Sequence, residues 1–112
     1  MAQFTTHPKI KTINKEDLEQ KMNSSRPPQV VNVLSPEHYN LGSIKGAKKI
    51  PLEQIDQRWK ELDPNTEVIT FCASYECPAS RKAAEKLAEY DFIVSAYEGG
   101  IKEWKAAGLP ME

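Results

Sequence analysis

The chain reads as a single α/β domain built on a mainly parallel sheet, and three observations carry that reading. Short runs rich in β-branched and apolar residues alternate with segments of helical periodicity, the order that builds parallel sheets. Turn-forming clusters separate them, at Asn23-Ser24-Ser25-Arg26-Pro27-Pro28, at Asp63-Pro64-Asn65 and at Gly99-Gly100. A length of 112 residues suffices for one core and leaves little room for a second.

In chain order, residues 1–8 read as a loose lead segment and residues 9–112 as the domain. Ile10 to Ile13 alternates apolar and polar, which fits a short edge strand. Asn14 reads as an N-cap, with Glu16 and Asp17 at the positive end of a short helix over Lys15–Met22 whose apolar face is Leu18 and Met22. Val30-Val31-Asn32-Val33-Leu34 is nearly all apolar and reads as a buried strand. Ser35-Pro36 opens a turn or short helix with proline at its first position. Gly42 and Gly46 mark turns, and Ala47 to Ile50 fits another short strand. From Pro51 a helix is expected to about Leu62, with Leu52, Ile55, Trp59 and Leu62 on its inner face. Val68-Ile69-Thr70-Phe71 is the next strand, and Cys72 to Cys77 the loop after it. Pro78 opens a long helix with Ala83, Ala84, Leu87 and Ala88 inward. Phe92 to Ala96 is a further strand, and Ile101 to Ala107 a last helix closed by Gly108 and Pro110.

Composition removes several classes of function. Fifteen basic against 16 acidic residues, a net charge of −1, is unsuited to coating nucleic acid or to a polybasic membrane anchor. A hydrophobic fraction of 39% is too high for a disordered chain. The longest apolar runs, Phe71-Cys72-Ala73 and Phe92-Ile93-Val94, are far too short to span a bilayer. The N-terminus shows no charged stretch followed by an apolar one, so a cytoplasmic location is expected, where two cysteines are thiols rather than a staple. His7 and His38 lie far from both cysteines and no pair has finger spacing, so neither a metal set nor a cofactor is expected. His38 reads as a surface or helix-end residue, and Trp59 and Trp104 as core. Gly99-Gly100 lacks the spaced third glycine of a phosphate-binding fingerprint.

The informative stretch runs from Cys72 into the next helix. A cysteine at the carboxyl end of a buried strand, then a short loop, then a helix, lies where open parallel sheets bind ligands. Loop amides and a helix N-terminus make a cradle for an anion, and the same field favours thiolate over thiol. Arg81 and Lys82 add positive charge nearby, which Glu76 partly opposes. A thiolate facing such a cradle suits attack on an electrophilic sulfur or phosphorus with an anionic leaving group. The plain alternative is that Cys72 is buried filler, a common role for free cysteine.

These residues resemble the rhodanese-like, single-domain sulfurtransferases. Val31-Asn32-Val33-Leu34-Ser35-Pro36-Glu37-His38-Tyr39 is similar to the family's first signature, continued by Gly42-Ser43-Ile44-Lys45-Gly46-Ala47 and Ile50-Pro51. Cys72 falls where the family places its persulfide-forming cysteine. Ser80 to Leu87 resembles the helix after the loop, and Glu98-Gly99-Gly100, Trp104 and Gly108-Leu109-Pro110 the closing signature. The resemblance runs from about Ile10 to Pro110. It implies a three-layer α/β/α domain with a five-stranded parallel sheet. It also implies a ping-pong reaction in which Cys72 takes sulfane sulfur from thiosulfate, polysulfide or a protein or low-molecular-weight persulfide and passes it to a thiol or cyanide, or to a protein acceptor. The donor-binding loop would be Ala73, Ser74, Tyr75, Glu76, Cys77, Pro78, Ala79 and Ser80, with Arg81 as nearby positive charge. Neither nucleic acid nor membrane is implied as a partner.

The chain departs from the family pattern in three respects. Asn32, Leu34 and Ser43 stand where the family usually has Asp, Arg and His, which removes a buried charge network and leaves Asn32 able to hydrogen-bond. The loop is about two residues longer than the common form, which changes the cradle's shape, and Arg81 at nine positions after Cys72 disfavours a phosphatase-like or arsenate-reducing site. Cys77, five positions after Cys72, is a possible second thiol. A dithiol redox or persulfide-relay module using Cys72 and Cys77 is one alternative function, with Cys77 as an ordinary loop residue its counterpart. A catalytically weak interaction domain on the same fold is another.

Overall fold

The computed structural model describes residues 10–112, and the lead segment read over residues 1–8 lies outside them. Five strands, β1 (Lys11–Thr12), β2 (Gln29–Asn32), β3 (Lys48–Lys49), β4 (Val68–Phe71) and β5 (Val94–Tyr97), form one sheet in the order β1-β5-β4-β2-β3. Every pairing is parallel. All four residues of β4 and all four of β5 are buried. A strand buried at every position is covered on both faces, which is why these runs lack polar alternation. The edge strands hold two exposed residues each, three of them lysines, and such short charged edges discourage pairing with another chain.

Four helices complete the three-layer α/β/α arrangement: α1 (Lys15–Met22), α2 (Ile55–Arg58), α3 (Ala79–Glu89) and α4 (Gly100–Ala106). α3 packs along β4 and β5 and against α2. α1 lies near α4, close enough for the charge of Glu103 to act on Lys15. Asn14 caps α1 as its position predicts, its side chain accepting the Asp17 amide at 2.7 Å. Leu18 and Leu87 point their apolar faces into the core and are fully buried, each contributing about 2 kcal/mol.

The expected helix from Pro51 to Leu62 is instead three short pieces, a 3₁₀ turn over Leu52–Gln54, α2, and a second 3₁₀ turn over Trp59–Glu61. The reason is legible in the spacing. The gaps of three, Leu52 to Ile55 and Trp59 to Leu62, are closed by Ile55 N–H to Leu52 O and by Leu62 N–H to Trp59 O, and three is the 3₁₀ repeat. Trp59 is half-buried rather than enclosed, stacked on Tyr90 at 4.5 Å. β5 begins at Val94 and not Phe92, because Ile93 is 75% exposed beside the turn at Asp91.

Candidate functional site

β4 ends at Phe71 and delivers Cys72, only 1% exposed, to the carboxyl edge of the sheet. The loop after it ends at Pro78, which precedes the first residue of α3. Ser74 organises the loop: its carbonyl accepts from Cys77 N–H at 3.1 Å, and its hydroxyl accepts from Glu76 N–H at 3.3 Å. α4 holds the loop from the side, with Ile101 N–H donating to Cys72 O at 3.0 Å and Lys102 N–H to Ala73 O at 2.9 Å. This approach depends on Gly100. Its φ is +65°, and a Cβ there would lie 2.5 Å from Cys72 O, 2.8 Å from the Ala73 carbonyl carbon and 2.9 Å from Ser74 N, all backbone atoms.

Tyr75 fastens the tip. Its hydroxyl donates to Glu103 Oε2 at 3.3 Å, while the Tyr97 hydroxyl donates to Oε1 of the same carboxylate at 2.7 Å. Burial, then the bond to Glu103, pushes the Tyr97 hydroxyl far above its ordinary pKa, and the Glu103 charge raises that of Tyr75. Both therefore remain protonated donors, and Glu103 ties loop, β5 and α4 together.

The expectation of two free thiols is corrected by the structure: Cys72 and Cys77 are joined by a disulfide, their Cα atoms 6.3 Å apart. The turn around Ser74 brings the two residues within the separation a disulfide spans. That turn also engages the amides of Glu76 and Cys77, and Pro78 has none. Among the described residues, the amides of Ala73, Ser74 and Tyr75 donate to no protein acceptor, and neither do those of Ala79, Ser80 and Arg81 in the first turn of α3. Donors able to hold an anion thus stand at both ends of the loop. Ser80 is itself buried, and its carbonyl accepts from the Thr70 hydroxyl of β4 at 2.7 Å, which fixes the start of α3 to the strand that carries Cys72.

Arg81 does not supply free positive charge. It is ion-paired with Glu98, Nη2 to Oε2 at 2.7 Å, a partner 17 residues away on the segment after β5. Lys102 and Lys105 of α4 lie beside the loop instead. One groove beside the loop, about 320 Å³, is lined by Leu41, Ala73, Ser74, Ile101, Lys102 and Lys105. A second, about 400 Å³, runs along Tyr75 and Glu76 and is lined also by Lys102 and Glu103. Gly100, Glu103, Lys102 and Lys105 were not readable as site residues. The second glycine after Glu98 is a signal of close approach, whereas lysines three apart on a helix look like any solvated face.

The residues that differ from the family pattern form a neutral replacement. Asn32 lies beside Phe71 in the sheet register and is fully buried. Its Nδ2 donates to Ser43 Oγ at 3.3 Å, and its Oδ1 accepts from Leu34 N–H at 3.0 Å. Leu34, where the family carries arginine, is 6% exposed and belongs to the core. The pair ties β2 to the segment at Ser43 without a buried charge. His38 sits at the surface, its Nδ1 3.1 Å from Ser35 Oγ, and Trp104 is buried with its Nε1–H donating to Pro110 O at 2.8 Å. Among the described residues, no three His, Cys, Asp or Glu side chains are grouped to hold a metal, and no helix is long and apolar enough to cross a membrane.

Comparison with known proteins agrees with this geometry. The rhodanese-like domain profile matches residues 14–107. The chain is 29% identical over 83 residues to an HTH-type transcriptional regulator of Mycobacterium tuberculosis, a match covering 74% of this chain and 37% of the regulator. It is 29% identical over 96 residues to uncharacterized protein YqhL of Bacillus subtilis, covering 85% of this chain and 72% of that one. The crystal structure of a rhodanese-related protein from Thermoplasma volcanium superposes with a TM-score of 0.78 at 27% identity, over 91% of this chain and 97% of that one. The chain belongs to the rhodanese-like domain family, and it spans little more than a third of the mycobacterial relative's length.

Proposed function

We propose that the chain is a sulfurtransferase that takes sulfane sulfur onto Cys72 and hands it to a nucleophilic acceptor. The observation that carries this reading is a cysteine at the carboxyl end of β4, opening a loop flanked by unengaged amides. In the reduced chain the Cys72 thiolate attacks the outer sulfur of thiosulfate or a related donor. The donor S–S bond breaks, sulfite or a thiolate leaves with the bonding electrons, and Cys72 becomes a persulfide. The preorganised amides of Ala73, Ser74 and Tyr75 and of the α3 first turn stabilise that anion without reorganising. The groove with Lys102 and Lys105 has no carboxylate on its lining and suits an anionic donor. A thiol, cyanide or a protein thiol then attacks the outer sulfur and restores the thiolate. We place this chemistry in the cytoplasm, where reduced thiols keep Cys72 available.

Sulfite release tests the first half-reaction whatever becomes of the persulfide. The reduced chain, freed of reductant and mixed with thiosulfate, should release about one sulfite per chain in a burst. Cys72→Ser should release none, and an undiminished burst from that variant refutes the assignment.

A further inference from the structure

We propose that Cys77 resolves the Cys72 persulfide, so that the chain reduces sulfane sulfur to sulfide and closes the Cys72–Cys77 disulfide in the same step. This rests on the sulfurtransferase reading and adds to it an internal acceptor and a product.

The pairing itself defines which sulfur is attacked. Cys77 Sγ is bonded to Cys72 Sγ, the inner sulfur of any persulfide formed there. Attack on the outer sulfur would only move the persulfide to Cys77. Attack on the inner one gives the bond that the structure contains. The loop is braced for it, by Ile101 and Lys102 of α4 at its first two carbonyls, by the Ser74 turn at Cys77, and by Tyr75 on Glu103. The loop joins Cys77 to Cys72 across five residues, so the internal thiol has an advantage of proximity over any external one.

The step balances as a thiol–disulfide exchange. The Cys77 thiolate attacks Cys72 Sγ, the Sγ–S bond of the persulfide breaks, and the outer sulfur leaves as hydrosulfide with the bonding pair. The proton lost by the Cys77 thiol is the proton gained by the leaving sulfur. The sulfane sulfur is reduced by two electrons, and the two cysteine thiols are oxidised to one disulfide. A dithiol reductant reopens the disulfide with two electrons and two protons and is itself oxidised to a disulfide.

The experiment is a single turnover. The full chain is reduced, freed of reductant and mixed with thiosulfate without oxygen, and sulfide, alkylatable thiols and intact mass are followed together. The wild-type chain should release about one sulfide, lose both alkylatable thiols and end about 2 Da below its reduced mass. Cys77→Ala and Cys77→Ser should instead hold a mass gain of about 32 Da and release no sulfide until an external thiol is added. A wild-type chain that keeps a stable gain of about 32 Da with Cys77 still alkylatable overturns the inference and leaves the sulfurtransferase reading intact. Failure of both Cys77 variants and the wild type to gain sulfur, with no sulfite released, overturns both.

Discussion

Gly100→Ala should loosen the Cys72–Cys77 loop, and the structure sets the size of the effect. Two glycines adopt similar left-handed conformations, Gly100 at φ +65° and Gly108 at φ +71°. An alanine in that region costs about 1–2 kcal/mol for its backbone alone. At Gly108 nothing lies within 4 Å of an added Cβ, so Gly108→Ala carries only that cost. At Gly100 the Cβ would meet three backbone atoms of the Cys72–Ser74 segment at 2.5–2.9 Å. The loop has to retreat, and it takes with it the bonds from Ile101 and Lys102 to Cys72 O and Ala73 O, worth about 1 kcal/mol each. Gly100→Ala should therefore cost about 3–4 kcal/mol against about 1–2 for Gly108→Ala. Urea unfolding of the two variants gives the difference directly, and the sulfite burst should slow in Gly100→Ala while persisting in Gly108→Ala. Equal stabilities and equal bursts would refute the role assigned to the Gly100 contact.

Asn32→Asp should place an unpaired carboxylate in the core, because Leu34 stands where the family's arginine would balance it. At neutral pH the cost should be about 3 kcal/mol. Burial would raise that carboxyl's pKa in the folded chain, so the folded state would hold a proton that the unfolded state releases. The stability gap to wild type should thus be small in acid and widen as pH rises through the carboxylate range, and a gap in Tm independent of pH refutes the reasoning. Asp56 tests the opposite sign. Its bonds to Lys86 Nζ at 2.8 Å and to the Tyr90 hydroxyl at 3.0 Å hold it below the usual carboxylate range. That contribution is present above the unfolded pKa and is lost as pH falls through the folded one. Lys86→Met should move the Asp56 titration, followed by NMR, back toward its ordinary position, and an unmoved titration counts against the assigned cause.

α1 and β4 are legible residue for residue because local signals and packing agree there. Asn14 has the chemistry of a cap and caps, and Val68 to Phe71 are apolar because both faces of the sheet are covered. The segment from Leu52 to Leu62 misleads because gaps of three and four fit an α-helix on paper, while the gaps of three are closed by 3₁₀ bonds. The location of Cys72 follows from the strand before it and Pro78 after it. The bond to Cys77 stays open in the sequence because a spacing of five residues fixes no distance, and the Ser74 turn that does so is set by a side-chain hydroxyl and by α4. Arg81 reads as free charge because its partner Glu98 arrives only when β5 is laid beside β4. Gly100 reads as a turn because its constraint is the backbone of another loop.

The most direct measurement is the intact mass of two reduced variants after a pulse of thiosulfate. Cys77→Ala keeps Cys72 and lacks the resolving thiol, so it should gain about 32 Da, located on the peptide that holds Cys72. Cys72→Ser keeps Cys77 and should gain nothing. No gain on the first variant, or a gain of about 32 Da on the second, would contradict Cys72 as the sulfur carrier.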